Sequence, residues 1–194
     1  MQASLTAIDE ETDRLNRLVG NLLDAGRLQA GTTAVNLRPT DIHEVVSSAL
    51  TGQHGRIDIS IDDALPLVVA DPALLERSLA NVVSNALRYQ RPGTAVVVDA
   101  AEVGTAVHLR VVDRGPGIPV KERTRVLAPF QRLGDRNTTD GVGLGLAIAS
   151  GFVRNMGGTF ELDDTPGGGL TVTITVPSAL DDRRDHPSPI GDRR

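Results

Sequence analysis

The residues best suited to chemistry in this chain fall into three groups. Asn81 and Asn85 stand four positions apart with Arg88 three further on, and on a helix all would lie along one edge of the apolar stripe made by Leu75, Leu79, Val82 and Ala86. Asparagine is a below-average helix former, so two on one edge ask for a partner. A hard cation such as Mg²⁺ supplies one, because it takes one or two oxygen ligands from protein and fills its shell with water and phosphate. Asparagines capping local backbone would also account for the pair taken alone. Asp113 closes a β-rich run in which Val107, Leu109 and Val111 share its parity, so a core-facing trio would turn the carboxylate inward. A buried carboxylate needs a dedicated donor, and the exocyclic amine of a purine would serve. The following Arg114-Gly115-Pro116-Gly117-Ile118-Pro119 can turn sharply against a flat ligand, or can be a tight turn opening on an Asx motif. Gly141-Val142-Gly143-Leu144-Gly145-Leu146 runs into a helix whose free N–H groups and positive dipole end would suit phosphate. It is neither a Walker loop, lacking Gly-Lys-Ser/Thr, nor a Rossmann fingerprint, since Leu146 takes the third glycine's place and no βαβ unit surrounds it.

The elements that must position these groups follow from pattern. Leu5, Ile8, Leu15, Leu18, Val19 and Leu22 recur at helical spacing through residues 1–31, with Ile8, Leu15 and Leu22 at sevens, so this stretch predicts one long helix for a bundle, a coiled coil or a fold-back on its own domain. From Pro39 the pattern is α+β. Asp41 opens a short amphipathic helix to Leu50, residues 56–61 alternate as a strand, and Asp71-Pro72 starts a helix running to Tyr89. Residues 94–101 and 105–113 predict a hairpin, and residues 144–156 a helix ended by Gly157-Gly158. Residues 159–162 and 170–176 predict two strands about the turn Thr165-Pro166-Gly167-Gly168-Gly169. In the last strand Leu170, Val172, Ile174 and Val176 should be buried and Thr171, Thr173 and Thr175 solvated. Residues 134–140 suit a lid, and residues 181–194 suit a disordered tail.

Composition narrows the classes. The chain has 194 residues, 40% hydrophobic, with 20 glycines, enough for one packed domain and an appendage. No apolar run reaches the length needed to cross a bilayer, and no basic-then-apolar leader opens the chain, so the expectation is a soluble, cytoplasmic domain. With no cysteine, and with His43, His54, His108 and His186 at no ligand-like spacing, a structural zinc site is not expected. A net charge of −5 and only four aromatic rings (one Tyr, three Phe) argue against nucleic acid as a direct ligand.

The order of the three groups is more specific than any one of them. Asn-x-x-x-Asn on a helix, Asp-x-Gly-x-Gly after a strand and Gly-x-Gly-x-Gly opening a helix resembles the N, G1 and G2 boxes of the Bergerat-fold superfamily of sensor histidine kinases, gyrase B, Hsp90 and MutL. Asn81-Val-Val-Ser-Asn85-Ala-Leu-Arg88-Tyr89, Asp113-Arg-Gly115-Pro-Gly117-Ile118-Pro, Pro129-Phe130-Gln-Arg132 and Gly141-Val142-Gly143-Leu144-Gly145-Leu146 are similar to the histidine kinase branch. The resemblance implies a two-layer sandwich, a mixed five-stranded sheet covered by three helices, preceded by one long bundle helix, with ATP and Mg²⁺ as ligands. It implies Asp113 for the adenine amine, Asn85 for Mg²⁺, and Asn81 and Arg88 for the metal and phosphate neighbourhood. Tyr89 would lie beside the nucleotide and Arg132 would point toward the triphosphate. Gly115, Gly117, Ile118, Phe130 and residues 141–146 complete the ATP set. Gyrase-like members carry a glutamate at the position of Asn81 as general base for water; an amide takes no proton, so the resemblance favours phosphoryl transfer over hydrolysis, with Asn81, Arg88 and Arg132 in the catalytic role.

In that family the acceptor is a histidine followed by an acidic residue and, four positions after that residue, a proline, on the first helix of a dimerising hairpin. His43-Glu44 matches only the first half, because position 48 is Ser48. Residues 1–31, with Arg14-Leu15-Asn16-Arg17-Leu18-Val19-Gly20-Asn21-Leu22-Leu23-Asp24, resemble the second hairpin helix, residues 32–180 the catalytic domain, and the phosphoacceptor is expected outside this sequence. Residues 128–135 and 164–171 are similar to actinobacterial potassium-sensor kinases of the Kdp type. Expected partners are a response regulator, the phosphoacceptor helix and a second copy through residues 1–31. A nucleotide-binding regulatory module and an anti-sigma serine kinase are the alternatives.

Overall fold

The computed structural model describes residue 12, residues 19–128 and residues 143–179. Helix α1 covers residues 19–29. It is followed by β1 (Arg38–Thr40), α2 (Ile42–Leu50), β2 (Ile57–Ile61), β3 (Val68–Ala70), α3 (Pro72–Tyr89), β4 (Val96–Val103), β5 (Ala106–Val112), α4 (Val120–Val126), α5 (Gly145–Asn155), β6 (Thr159–Asp164) and β7 (Leu170–Pro177). Five strands form one mixed sheet in the order β2-β4-β5-β7-β6, with β2 and β4 parallel and the other pairs antiparallel. Helices α2, α3 and α5 bury Val46, Leu79 and Val153 with Val98, Leu109 and Ile174 of the strands in a single core. The expected sandwich of a five-stranded mixed sheet and three helices is therefore the observed architecture.

Local chemistry fixes the helices that matter. Asp71 caps α3: its Oδ1 accepts from the N–H groups of Ala73 and Leu74 at 3.1 and 3.2 Å, and its Oδ2 from Asn36 N at 2.8 Å. Pro72, at the first helical position, gives up a donor that would have lacked a partner. From there Leu75, Leu79, Val82 and Ala86 reach the core as their spacing predicts. Helix α5 ends in a Schellman arrangement, with Gly157 at φ +79, Gly158 N bonded to Val153 O and Gly157 N to Arg154 O. Its other end differs: Leu144 is the N-cap and brings no side-chain oxygen to the first-turn N–H groups.

Three features depart from the pattern reading. A two-stranded antiparallel ribbon pairs β1 with β3, Arg38 opposite Ala70, in strands too short to show a period. The short helix α4, Val-Lys-Glu-Arg-Thr-Arg-Val, buries only Val126 and so carries no apolar stripe. Thr173, on the open face of β7, is 8% exposed because its cross-strand neighbours are Arg110 and Glu161, whose long stems cover it.

Helix α1 folds back on the domain. Ala25 and Leu28 pack with Leu74, Leu144, Ile148 and Phe152 in a second, smaller cluster, and Gly151 leaves the notch that the Leu28 methyls fill. Asp24, 2% exposed, pairs with Arg77 of α3, whose guanidinium lies 5.8 Å from the centre of the Phe152 ring. Burial pushes the Asp24 carboxyl above the usual carboxylate range, against the pull of Arg77 and Arg27. Val19 and Leu22 of the heptad stripe stay about half exposed, at 55% and 47%. Neither most of residues 1–18 nor residues 181–194, expected as helix and tail, are among the described residues. No described helix is long and apolar enough to cross a membrane.

Candidate nucleotide site

Strand β5 delivers Asp113 to the inside of the fold: Val107, Leu109 and Val111 are at most 1% exposed, and Asp113, on the same parity, is 4% exposed. Its Oδ1 accepts two backbone hydrogen bonds, from Gly115 N at 2.8 Å and from Leu170 N at 3.1 Å. No hydrogen bond from a described residue reaches Oδ2. The carboxylate is thus anchored through one oxygen and offers the lone pairs of the other.

The backbone around it is crowded wherever a glycine stands. A Cβ on Gly115 would sit 2.6 Å from Tyr89 O, so the turn after β5 rests on the last carbonyls of α3. A Cβ on Gly169 would sit 2.0 Å from Asp113 O, and Gly169 has φ +120, a conformation that an L side chain strains to adopt. Gly117 and Ile118 close the turn, the latter buried in the core.

Helix α3 carries the second group. Asn81 and Asn85 are half buried, and neither side chain makes a hydrogen bond to a described residue, so they do not cap local backbone. Gly145, first residue of α5, faces Asn81: a Cβ there would come within 4.0 Å of Asn81 Oδ1 and of Asn81 Cβ. The uncapped end of α5 and the amide edge of α3 therefore meet. Arg88 and Tyr89 are exposed, with the guanidinium 5.4 Å from the centre of the Tyr89 ring. Gly143, at φ +72, leads into buried Leu144 and half-buried Leu146. Phe130, Arg132, Gly141 and Val142 lie outside the described residues, as does the expected lid over residues 134–140.

These positions share one axis. From Asn81 to Tyr89 the helix rises by about 12 Å, with the Gly145 helix end at the start of that step and the Asp113–Gly117 turn at its finish. A group with a flat, amine-bearing ring at one end and anionic oxygens at the other fits that spacing and polarity. Among the described residues no three acidic or histidine side chains converge on a metal position, so a divalent ion here would rest on an amide oxygen and on the ligand's own oxygens.

Pattern reasoning missed three contributors. Leu170 N is the second donor to Asp113, Gly169 makes room for the Asp113 carbonyl, and Gln90 accepts from Arg114 N at 2.7 Å. The signal available was the Gly167-Gly168-Gly169 run, since three successive glycines at positive φ exceed what a short turn requires.

Comparison with known proteins decides the family. A family model described as histidine kinase-, DNA gyrase B- and HSP90-like ATPase matches residues 70–180, more than half of the chain. The chain belongs to this ATPase family. It is 45% identical over 190 residues to sensor protein KdpD of Mycobacterium tuberculosis, covering 92% of this chain and 22% of that protein. It is 36% identical over 165 residues to KdpD of Escherichia coli, covering 83% and 18%. The chain thus spans about a fifth of the length of these relatives. Among solved structures, full-length ShkA in complex with AMPPNP aligns with a TM-score of 0.72 at 29% identity over 92% of this chain and 39% of that one. The mycobacterial sensor histidine kinase MprB aligns with a TM-score of 0.64 at 30% identity over 74% of this chain and 98% of that one. The similarity to actinobacterial sensors of the Kdp type agrees with these relatives. Members of the family bind ATP.

Proposed function

We propose that this chain is the ATP-binding catalytic domain of a Kdp-type sensor histidine kinase. It would transfer the γ-phosphoryl group of ATP to a histidine carried by a part of the parent kinase outside these 194 residues, for relay to an aspartate of a response regulator. The parent would be membrane-anchored with this domain on the cytoplasmic side, and a second copy would pair through the exposed Val19 and Leu22 face of α1.

The observation that carries this reading is the pairing of a buried carboxylate having one oxygen to spare with an amide edge facing an uncapped helix end, about two turns apart along α3. Asp113 Oδ2 accepts from the adenine amine, and Gly115 and Gly169 let the backbone close on the ring. The first-turn N–H groups of α5 bind phosphate oxygens. Asn85 would supply an oxygen to Mg²⁺, with Asn81 beside it, and Arg88 and Arg132 would neutralise phosphate charge. When bound, Mg²⁺ would neutralise charge on the phosphates and fix their orientation. Asn81 has no proton affinity to activate water, so the domain orients the phosphoryl group and leaves the nucleophile to the acceptor.

Mixing the domain with the acceptor hairpin of its parent kinase, labelled ATP and Mg²⁺ should place acid-labile phosphate on the hairpin. Asn85→Ala should remove it, together with Mg²⁺-dependent ATP binding, while the thermal unfolding profile stays near wild type. ATP binding without transfer to the hairpin would favour a regulatory nucleotide-binding module, and serine labelling of a partner an anti-sigma-type kinase.

A further inference from the structure

The loop that aims Asp113 is held by a residue outside the three motif groups. Gln90 is the C-cap of α3, with φ −59 and ψ 140, and its Oε1 accepts the Arg114 N–H at 2.7 Å across 24 positions of sequence. That N–H belongs to the peptide joining Asp113 to Arg114. The carbonyl of the same peptide is the atom that a Cβ on Gly169 would strike at 2.0 Å. One side of the peptide is therefore tied to Gln90 and the other lies against Gly169, which fixes the plane from which the Asp113 side chain projects. The same turn touches α3 a second time, where Gly115 lies against Tyr89 O.

The other half of the Gln90 amide is informative. Nε2 is buried and has no hydrogen-bond partner. Turning the amide over would put an NH₂ group against the Arg114 N–H, donor against donor, so the acceptor contact dictates the orientation and leaves Nε2 without a partner. A buried donor left unpaired is unfavourable, and an apolar side chain of similar length would avoid it. A side chain kept only for packing has no reason to carry that donor.

Resting on the ATP-binding reading above, we infer that Gln90 is a positioning residue for adenine recognition, holding the Asp113–Arg114 peptide so that Asp113 Oδ2 faces the base. It does not touch the nucleotide. It acts through Asp113.

The test uses variants that separate stability from aim. Gln90→Met keeps the length and loses the acceptor, a loss offset by removal of the unpaired donor and by solvent access to the Arg114 N–H, so its melting temperature should stay near that of the wild type. Its affinity for ATP, measured by calorimetry with Mg²⁺ present, should nevertheless fall about tenfold, and its preference for ATP over GTP should shrink, because the hydrogen bond that ties the Asp113–Arg114 peptide to α3 is lost. Gln90→Glu retains an acceptor for Arg114 N–H and should keep most of both the affinity and the preference. Gln90→Ala, which lacks the acceptor and the bulk, should lose both as Met does, and serves if the Met variant misfolds. Wild-type ATP affinity and selectivity in the Met and Ala variants would overturn the inference, as would equal loss in Glu and Met. Failure of the wild-type domain itself to bind ATP would instead overturn the nucleotide reading, and the inference with it.

Discussion

Asp113 shows how much one side chain can organise here. Its Oδ1 satisfies two buried N–H groups, Gly115 and Leu170, while Oδ2 stays free. Asp113→Asn keeps an oxygen for those two N–H groups but replaces the free oxygen with NH₂, a donor facing a donor. The variant should therefore fold normally, bind ATP at least tenfold more weakly and discriminate poorly between ATP and GTP, as competition calorimetry would show. Asp113→Ala leaves both N–H groups buried without an acceptor and should cost about 2–4 kcal/mol of unfolding free energy. Gly169→Ala meets the backbone and a φ of +120 at once, so denaturant unfolding should show a loss of about 2 kcal/mol or more. A tolerated Gly169→Ala would mean that the turn relaxes and that the Asp113 carbonyl is not held as described.

Among the elements, α1 combines two faces on one helix. Asp24, Ala25 and Leu28 dock on α3 and α5, four residues before Asn81 at Arg77 and next to Gly145 at Leu144, while Val19 and Leu22 point to solvent. The ion pair within this contact has a definite pH dependence. The folded-state pKa of Asp24 is raised, so its contribution to stability is fully present below the usual carboxylate range and is lost as pH rises through the raised value. Asp24→Asn mimics the neutral acid; at pH 7 it should melt higher than wild type, and the gap should close as the pH approaches about 4. Arg77→Met leaves an ionised carboxylate buried without its cation, a change of about 3 kcal/mol, which α1 can relieve by undocking. Hydrogen exchange should then quicken in residues 19–29 and stay slow in β5 and β7. The docking was only partly legible beforehand. The heptad signal marks Leu15, Val19 and Leu22, whereas the contact uses Asp24, Ala25 and Leu28 against helices far along the chain. Likewise β1 and β3 are too short for periodicity to register, and α4 is too highly charged.

For the whole molecule, local pattern carried the long elements and the three motif groups, because caps, alternation and glycine runs are written within a few residues. What the pattern could not carry was closure. The contact of Leu170 with Asp113 spans 57 positions, that of Gln90 with Arg114 spans 24, and both follow from sheet pairing and from the seat of a loop on a helix end. The parity of Val107, Leu109 and Val111 still turned Asp113 inward, and helical spacing still put Asn81 and Asn85 on one edge. Under the proposed function these would tie a purine end to a phosphate end. If the acceptor histidine belongs to another part of the parent kinase, the domain alone with labelled ATP and Mg²⁺ should gain no acid-labile phosphate, and labelling at His43 would contradict that assignment. The most direct measurement is one titration, ATP into the folded domain by calorimetry with Mg²⁺ and again with excess chelator. A saturable heat that weakens without the metal, and is larger for ATP than for GTP, is the predicted result. The absence of any heat from well-folded protein with Mg²⁺ present would contradict it.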